Sequence, residues 1–214
     1  MSVLLTPSPS IPTVGKLLER LGNIPAERVR YYPLPGTATE QDVIEVARQS
    51  HLCELIDGVL VEKPMGLMES HLASVLIAAL CGFVDLHKLG IVTGEAGMMR
   101  LSAGMVRIPD VAFLSWSRLP GGKIPSEPIP TVVPDLAIEI LSQSNTRKEM
   151  ERKLADYFGA GVRIVWIVDP QARTVTVHNS PQHFSILNED RRLDGEDVLP
   201  GFVMELKSLF ARLT

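Results

Sequence analysis

Between Pro134 and Ser142 the chain reads PDLAIEILS, in which Leu136–Leu141 is a strand-length apolar run with a single acid, Glu139, set inside it. In an extended strand, side chains alternate between faces, so Ala137, Glu139 and Leu141 share one face and Leu136, Ile138 and Ile140 the other. Both faces are otherwise apolar, which predicts a central, buried strand. A carboxylate placed there costs several kcal/mol unless it is paired or coordinates a metal. The chain must therefore fold into a sheet that supplies Glu139 with a partner. A structural ion pair with an arginine would satisfy this; so would a chemical site.

The 214 residues suit one domain with some elaboration. A hydrophobic share of 45% is enough for a substantial core. The net charge of −4 argues against a generic nucleic-acid coat, because phosphate contacts need Lys and Arg. From Arg100 to Arg163, however, nine Lys or Arg face seven Asp or Glu, so the acidity lies elsewhere. Cys53 and Cys81 are too few for a disulfide scaffold or a zinc site and are expected reduced and buried, in a cytoplasmic protein. The N-terminus lacks the basic start and apolar stretch of a signal peptide. The apolar run Leu72–Val84 falls short of the ~20 residues that span a bilayer, so a buried helix and no membrane are expected.

Residues 1–50 read as an N-terminal arm with short helices, packed on a main domain over 51–214. The arm has a Pro- and Ser-rich start at 1–12, a helix from Val14 to Leu21 stopped by Gly22, and a second from an N-cap at Thr39 to about Ser50. Runs at Cys53–Ile56 and Val59–Lys63 flank Asp57–Gly58, which predicts a tight hairpin. A long helix at 68–88 follows, then strands at Gly90–Gly94, Met98–Leu101, Val106–Ser115 and Asp135–Leu141. The loop Pro120–Pro130 separates the last two. A helix at Thr146–Gly159 precedes strands at Val162–Asp169, Thr174–Asn179 and His183–Leu187. The expected fold class is α/β (α+β), a mixed sheet with helices packed on it.

Two further residues fall into place around Glu139. Asp110 enters an apolar strand directly after Pro109, either as a turn cap or as a second carboxylate. Lys153 lies on the next helix among Met150, Leu154, Tyr157 and Gly161, whose spacing faces the sheet. Its stem either snorkels to water or the ammonium is held inside the fold by the two carboxylates. Lys148 and Arg152 project elsewhere and are expected to be solvated. Two carboxylates from neighbouring strands form a hard-oxygen site suited to Mg²⁺ or Mn²⁺. His71, at the start of the long helix, is either an exposed histidine or a supporting group facing the site, and Glu54 is a weaker candidate for the same role. Trp116 and Trp166 read as packing residues. His51, His87, His178 and His183 show no ligand spacing and are expected at the surface.

The order of these residues resembles the PD-(D/E)xK superfamily of metal-dependent nucleases, and in particular the Uma family of restriction-endonuclease-like proteins. The resemblance covers roughly residues 50–180. It is carried by Glu54-Leu55-Ile56-Asp57-Gly58, His71, Pro109-Asp110-Val111, Glu139-Ile140-Leu141-Ser142, Lys153-Leu154-Ala155-Asp156-Tyr157, Gly161-Val162 and Trp166-Ile167-Val168-Asp169-Pro170. It implies a restriction-endonuclease-like core in which Asp110 and Glu139 bind the metal with the backbone carbonyl of Ile140. It also makes Asp110, Glu139 and Lys153 the catalytic set. The superfamily's lysine usually lies two residues after the acid, where this chain has Leu141; the family's variant places it on the following helix, where Lys153 stands.

The implied activity is Mg²⁺-dependent hydrolysis of DNA phosphodiester bonds. A non-catalytic nucleic-acid-binding or regulatory protein on the same fold is the alternative, favoured by the acidic balance and the displaced lysine. Cutting both strands would suit a homodimer, C₂ being the commonest symmetry, although no residue pattern specifies one. The chain has no phosphate-binding Gly-rich loop, dinucleotide fingerprint or nucleophile elbow.

Overall fold

A computed structural model describes residues 13–64 and 66–213; the Pro- and Ser-rich start at 1–12 lies outside the described residues. In the arm, α1 (Val14–Arg20) is capped by Thr13, and α2 (Glu40–Arg48) by a reciprocal box between Thr39 and Asp42. Strands β1 (Cys53–Ile56) and β2 (Val59–Glu62) form the expected hairpin. Its turn residues Asp57 and Gly58 both take positive φ, 51° and 74°, as a two-residue primed turn requires. A Cβ at Gly58 would lie 2.7 Å from the Gly36 backbone, so that position accepts only glycine without rearrangement.

The long helix α3 (Leu67–His87) precedes β3 (Gly90–Gly94) and β4 (Met99–Ser102). The single strand expected at Val106–Ser115 is instead two, β5 (Met105–Arg107) and β6 (Val111–Ser115), and they belong to different sheets. Pro109 has no N–H for a ladder, and residues 108–110 find other partners. The Ile108 N–H donates to Glu54, the Ile108 carbonyl accepts from Lys63, and the Asp110 N–H donates to the Ile138 carbonyl. Charged side chains thus hold the chain where it crosses from one sheet to the other.

After β7 (Leu136–Ile140) comes α4 (Arg147–Ala160), capped by Thr146 and Glu149 and ended by Gly161 at φ 99°. Strands β8 (Ile164–Asp169), β9 (Thr174–His178) and β10 (Phe184–Asn188) follow as expected. The remaining chain, for which the sequence reading placed no element, forms β11 (Arg192–Gly195), β12 (Leu199–Glu205) and a short α5 (Leu206–Phe210).

The main sheet has the order β10-β9-β8-β7-β6-β3, with β7 and β8 parallel across the α4 crossover and its other neighbours antiparallel. One face carries α3, α5 and the β11–β12 hairpin: Leu72, Leu76, Leu80 and Phe202 pack on Phe113, Ile138 and Trp166. The other carries α4, whose Met150, Leu154 and Tyr157 meet Ala137, Val165 and Ile167. α3 is long and apolar enough to cross a membrane by length and composition, but Leu72, Ala73, Leu76, Leu80 and Val84 are buried against the sheet. A smaller sheet, β2-β1-β5-β4, is covered by Val43 and Val46 of α2 and, separately, by Leu17 and Leu21 of α1. Arg28 in the arm makes a buried, two-pronged pair with Glu149 of α4 at 2.8 and 3.0 Å, tying the arm to the helix that carries Lys153.

Candidate active site

Glu139 lies on the α4 side of β7, because its neighbours Ile138 and Ile140 point into the α3 core. Asp110 precedes β6, whose register pairs Val111 with Ile138. Continued by one residue, that register sets Asp110 opposite Glu139, with both side chains on one face. Direct contact agrees: Asp110 Oδ2 accepts the N–H of Ile140 at 2.6 Å. The two carboxylates expected to form the site therefore belong to adjacent strands and share a face.

Lys153 is buried as the sheet-facing reading required, and it does not snorkel. Its Nζ donates to Glu139 Oε2 at 2.8 Å and lies 3.5 Å from Glu54 Oε1. Glu54 was the weaker candidate on the sequence, an acid on a hairpin edge. In the fold β1 lies between β2 and β5, and Glu54 is 2% exposed. It accepts from Arg107 Nη1 at 2.7 Å and from the Ile108 N–H at 3.1 Å. Arg107 is paired in turn with Asp156 of α4.

His71 is not brought to this cluster. It is exposed on α3, on the opposite face of the sheet from Glu139, beside a groove lined by Met204, Ser208 and Arg212. Three other expectations also differ. Arg152 is not simply solvated, since it bonds Asp57 at 2.8 Å and the Arg20 carbonyl. His178 is buried at the sheet rather than on the surface, because it packs beside Phe184. Of the two tryptophans, Trp166 is fully buried whereas Trp116 is 40% exposed.

Four members of the network were not singled out on the sequence. Lys63 places its ammonium 2.8 Å from Asp110 Oδ1. Tyr157, expected only to pack, donates its hydroxyl to Glu139 Oε1 at 2.5 Å. Arg107 and Asp156 complete the set. Arg107 carried a signal of the same kind as Glu139, a charge inside an apolar strand, here two residues before Pro109. Asp156 and Lys63 had none, because nothing local distinguishes them from surface charges.

The electrostatics follow from burial. Burial pushes the Glu54 carboxyl up, but Lys153 and Arg107 outweigh it and hold the pKa at about 2. Burial also opposes a charged Lys153, yet Glu139 and Glu54 raise its pKa well above that of an ordinary lysine, so it stays an ammonium. For Glu139 burial wins: its pKa is raised, Lys153 opposing and the nearby Asp110 charge adding to the rise. At close range the carboxylates Glu54, Asp110, Glu139 and Asp156 meet the cations Lys63, Arg107 and Lys153, and Arg152 lies 3.9 Å from Asp156.

This donor set fits a hard divalent cation. Among the described residues no group of three or more Asp, Glu, His or Cys forms a ready cage. An ion here would be held by the two carboxylates and completed by backbone, water or substrate oxygens, the usual habit of Mg²⁺.

Residues 40–207 match the Uma2 family, described as "Putative restriction endonuclease". A solved structure described as "a putative nuclease belonging to DUF820", from Anabaena variabilis ATCC 29413, has the same fold. It superposes with a TM-score of 0.68 at 23% identity, covering 76% of this chain and 92% of that one. No curated protein matches. With most of its length inside the family match, and with the nuclease-like fold beneath it, the chain belongs to the Uma2 family of restriction-endonuclease-like proteins.

Proposed function

We propose that the protein is a divalent-metal-dependent endonuclease that hydrolyses DNA phosphodiester bonds at the Asp110–Glu139 pair. The observation that carries the reading is the convergence of both carboxylates and Lys153 on one face of adjacent strands, beneath α4. Asp110 and Glu139, with the backbone carbonyl of Ile140, would hold Mg²⁺ or Mn²⁺. Bound there, the ion would supply an activated water and neutralise charge building up on the phosphate. Lys153 stays protonated, held by Glu139 and Glu54, which suits it to stabilise negative charge rather than to remove a proton from water. Glu54 and Arg107 act through Lys153 by fixing where its ammonium stands.

The test is cleavage of plasmid DNA in Mg²⁺ or Mn²⁺. Asp110→Ala abolishes cleavage. Lys153→Ala lowers it by about 10²-fold or more while leaving Mn²⁺ binding largely intact, since lysine is not a ligand. Lys148→Ala, on the exposed side of the same helix, changes little. One observation favours the alternative of a non-catalytic nucleic-acid-binding protein: all four oxygens of Asp110 and Glu139 already accept or pair with a protein donor. DNA retention without cleavage, in either metal, would select it.

A further inference from the structure

Lys63 has no part in the mechanism above, yet it touches the carboxylate on which that mechanism depends. It directly follows β2, and its side chain is only 4% exposed. The ammonium has two acceptors, Asp110 Oδ1 at 2.8 Å and the Ile108 carbonyl at 2.6 Å. The Asp110 side chain is the more open of the carboxylate pair, 14% exposed against 7% for Glu139, so it is the one an incoming ion reaches more readily. Its second oxygen is fixed by the Ile140 N–H. Lys63 therefore holds the remaining oxygen of the more accessible ligand. If it lets go it keeps a partner, because the Ile108 carbonyl stays in place. It also comes from the hairpin and not from α4, so its displacement leaves Lys153 undisturbed.

We propose that Lys63 is the resident counter-cation of Asp110, a tethered ammonium that neutralises this carboxylate until a divalent ion claims it, so that Lys63 sets how tightly the site binds metal. This rests on the reading of Asp110 as a metal ligand. The physical reason is Coulombic. An ammonium bonded to a ligand oxygen repels a cation arriving at the same carboxylate, and in a poorly solvated site that repulsion is strong. The same ammonium spares the metal-free fold an unpaired, part-buried acid.

Mn²⁺ binding, followed by calorimetric titration and by the rise in melting temperature on adding the ion, tests this without reference to cleavage. Lys63→Gln keeps a donor for the Ile108 carbonyl and removes the charge. It should bind Mn²⁺ about tenfold more tightly than wild type, or better, which is 1.4 kcal/mol. Its melting temperature should also rise more with the ion, since ligand binding to the folded state stabilises it in proportion to affinity. Lys63→Arg, which keeps the charge, should bind close to wild type; it serves as the second variant should Lys63→Gln fold poorly, and binding as tight as that expected of Lys63→Gln would overturn the proposal. Equal or weaker Mn²⁺ binding by folded Lys63→Gln overturns it too. Asp110→Asn separates the failures. If wild type binds Mn²⁺ and Asp110→Asn binds it equally well, Asp110 is not a ligand and both readings fall. If Asp110→Asn loses binding while Lys63→Gln is unchanged, only the role of Lys63 falls.

Discussion

The two faces of β7 are built from neighbouring residues of one strand and are held by different physics. On the α3 side, Leu136, Ile138 and Ile140 join a continuous apolar core with Trp166, Phe113 and Phe210. On the α4 side, Ala137 starts a similar core, but at Glu139 it gives way to the buried charges Glu54, Arg107 and Lys153 and the part-buried Asp110. The first face depends on area removed from water, about 25 cal/mol per Å². The second depends on pairing, and it gains little over an apolar substitute while costing much when one partner is lost. A sheet that needed only stability would be apolar on both faces. Buried charge on one of them is what the proposed site requires.

Breaking each face at its largest buried member should cost about the same but respond differently to pH. Trp166→Ala opens a cavity in the α3 core and should cost about 3–5 kcal/mol. Arg107→Met leaves Glu54 and Asp156 without their shared cation and should cost a similar ~3–5 kcal/mol. The difference lies in acid. Without Arg107, Glu54 loses a cation that kept its pKa low, and protonation near pH 4 relieves the stranded charge. Urea unfolding at pH 7 and pH 4 should therefore show the Arg107→Met deficit shrinking and the Trp166→Ala deficit unchanged. Equal deficits at both pH values would mean that the charged face behaves as an ordinary core.

How far the sequence revealed each face follows the same division. Apolar periodicity and turn chemistry are local, so helices at 14–20, 40–48 and 67–87, the Asp57–Gly58 hairpin and the alternation of β7 were all legible. The split between β5 and β6 was not, although Pro109 marked it. Both halves are apolar, and the sheet to which each belongs is decided by distant partners, Leu55 for β5 and Ile138 for β6. The C-terminal β11, β12 and α5 were missed because their residues alternate weakly and gain burial only against α3 and the sheet. In the site, Glu139, Asp110 and Lys153 stood out because each puts a charge or a chain break inside an apolar pattern. Nothing along the chain sets Lys63 or Asp156 apart from a surface charge, and only the fold gives them partners.

A smaller effect separates the acids within the charged face. Glu54 is held at about 2, below its unfolded value, so its contribution is present above the ordinary carboxylate range and is lost as pH falls from about 4.5 towards 2. Glu139 is raised, so its contribution has the opposite sign: the folded state prefers its neutral form, and acid relieves it. The acid limb of the stability curve should thus belong to Glu54. In Glu54→Gln the loss of unfolding free energy between pH 4.5 and 2.5 should be shallower than in wild type by an amount on the order of 1–3 kcal/mol, given 1.36 kcal/mol per pKa unit. An unchanged slope would assign acid sensitivity to other carboxylates.

The smallest expected effect is at Glu139 itself. Although this carboxylate defines the site, Glu139→Gln removes little that the metal-free fold depends on. The amide oxygen still accepts from the Tyr157 hydroxyl, and Lys153 keeps Glu54, 3.5 Å away. Repulsion with Asp110 disappears, and a buried charge whose pKa is already raised is replaced by a neutral group of the same shape. These gains offset the lysine bond, which is lost because the amide turns its NH₂ towards the Lys153 ammonium; a charge-assisted bond is usually worth ~1.5–3 kcal/mol. The metal-free protein should therefore stay within about 1 kcal/mol of wild type in urea unfolding at pH 7, or become slightly more stable. Mn²⁺ should stabilise wild type and leave Glu139→Gln unchanged, because only the variant has lost a ligand charge. A loss above about 3 kcal/mol, the usual cost of breaking a buried pair, would instead make Glu139–Lys153 a structural pair. The charged face would then be a core held by ions rather than a site.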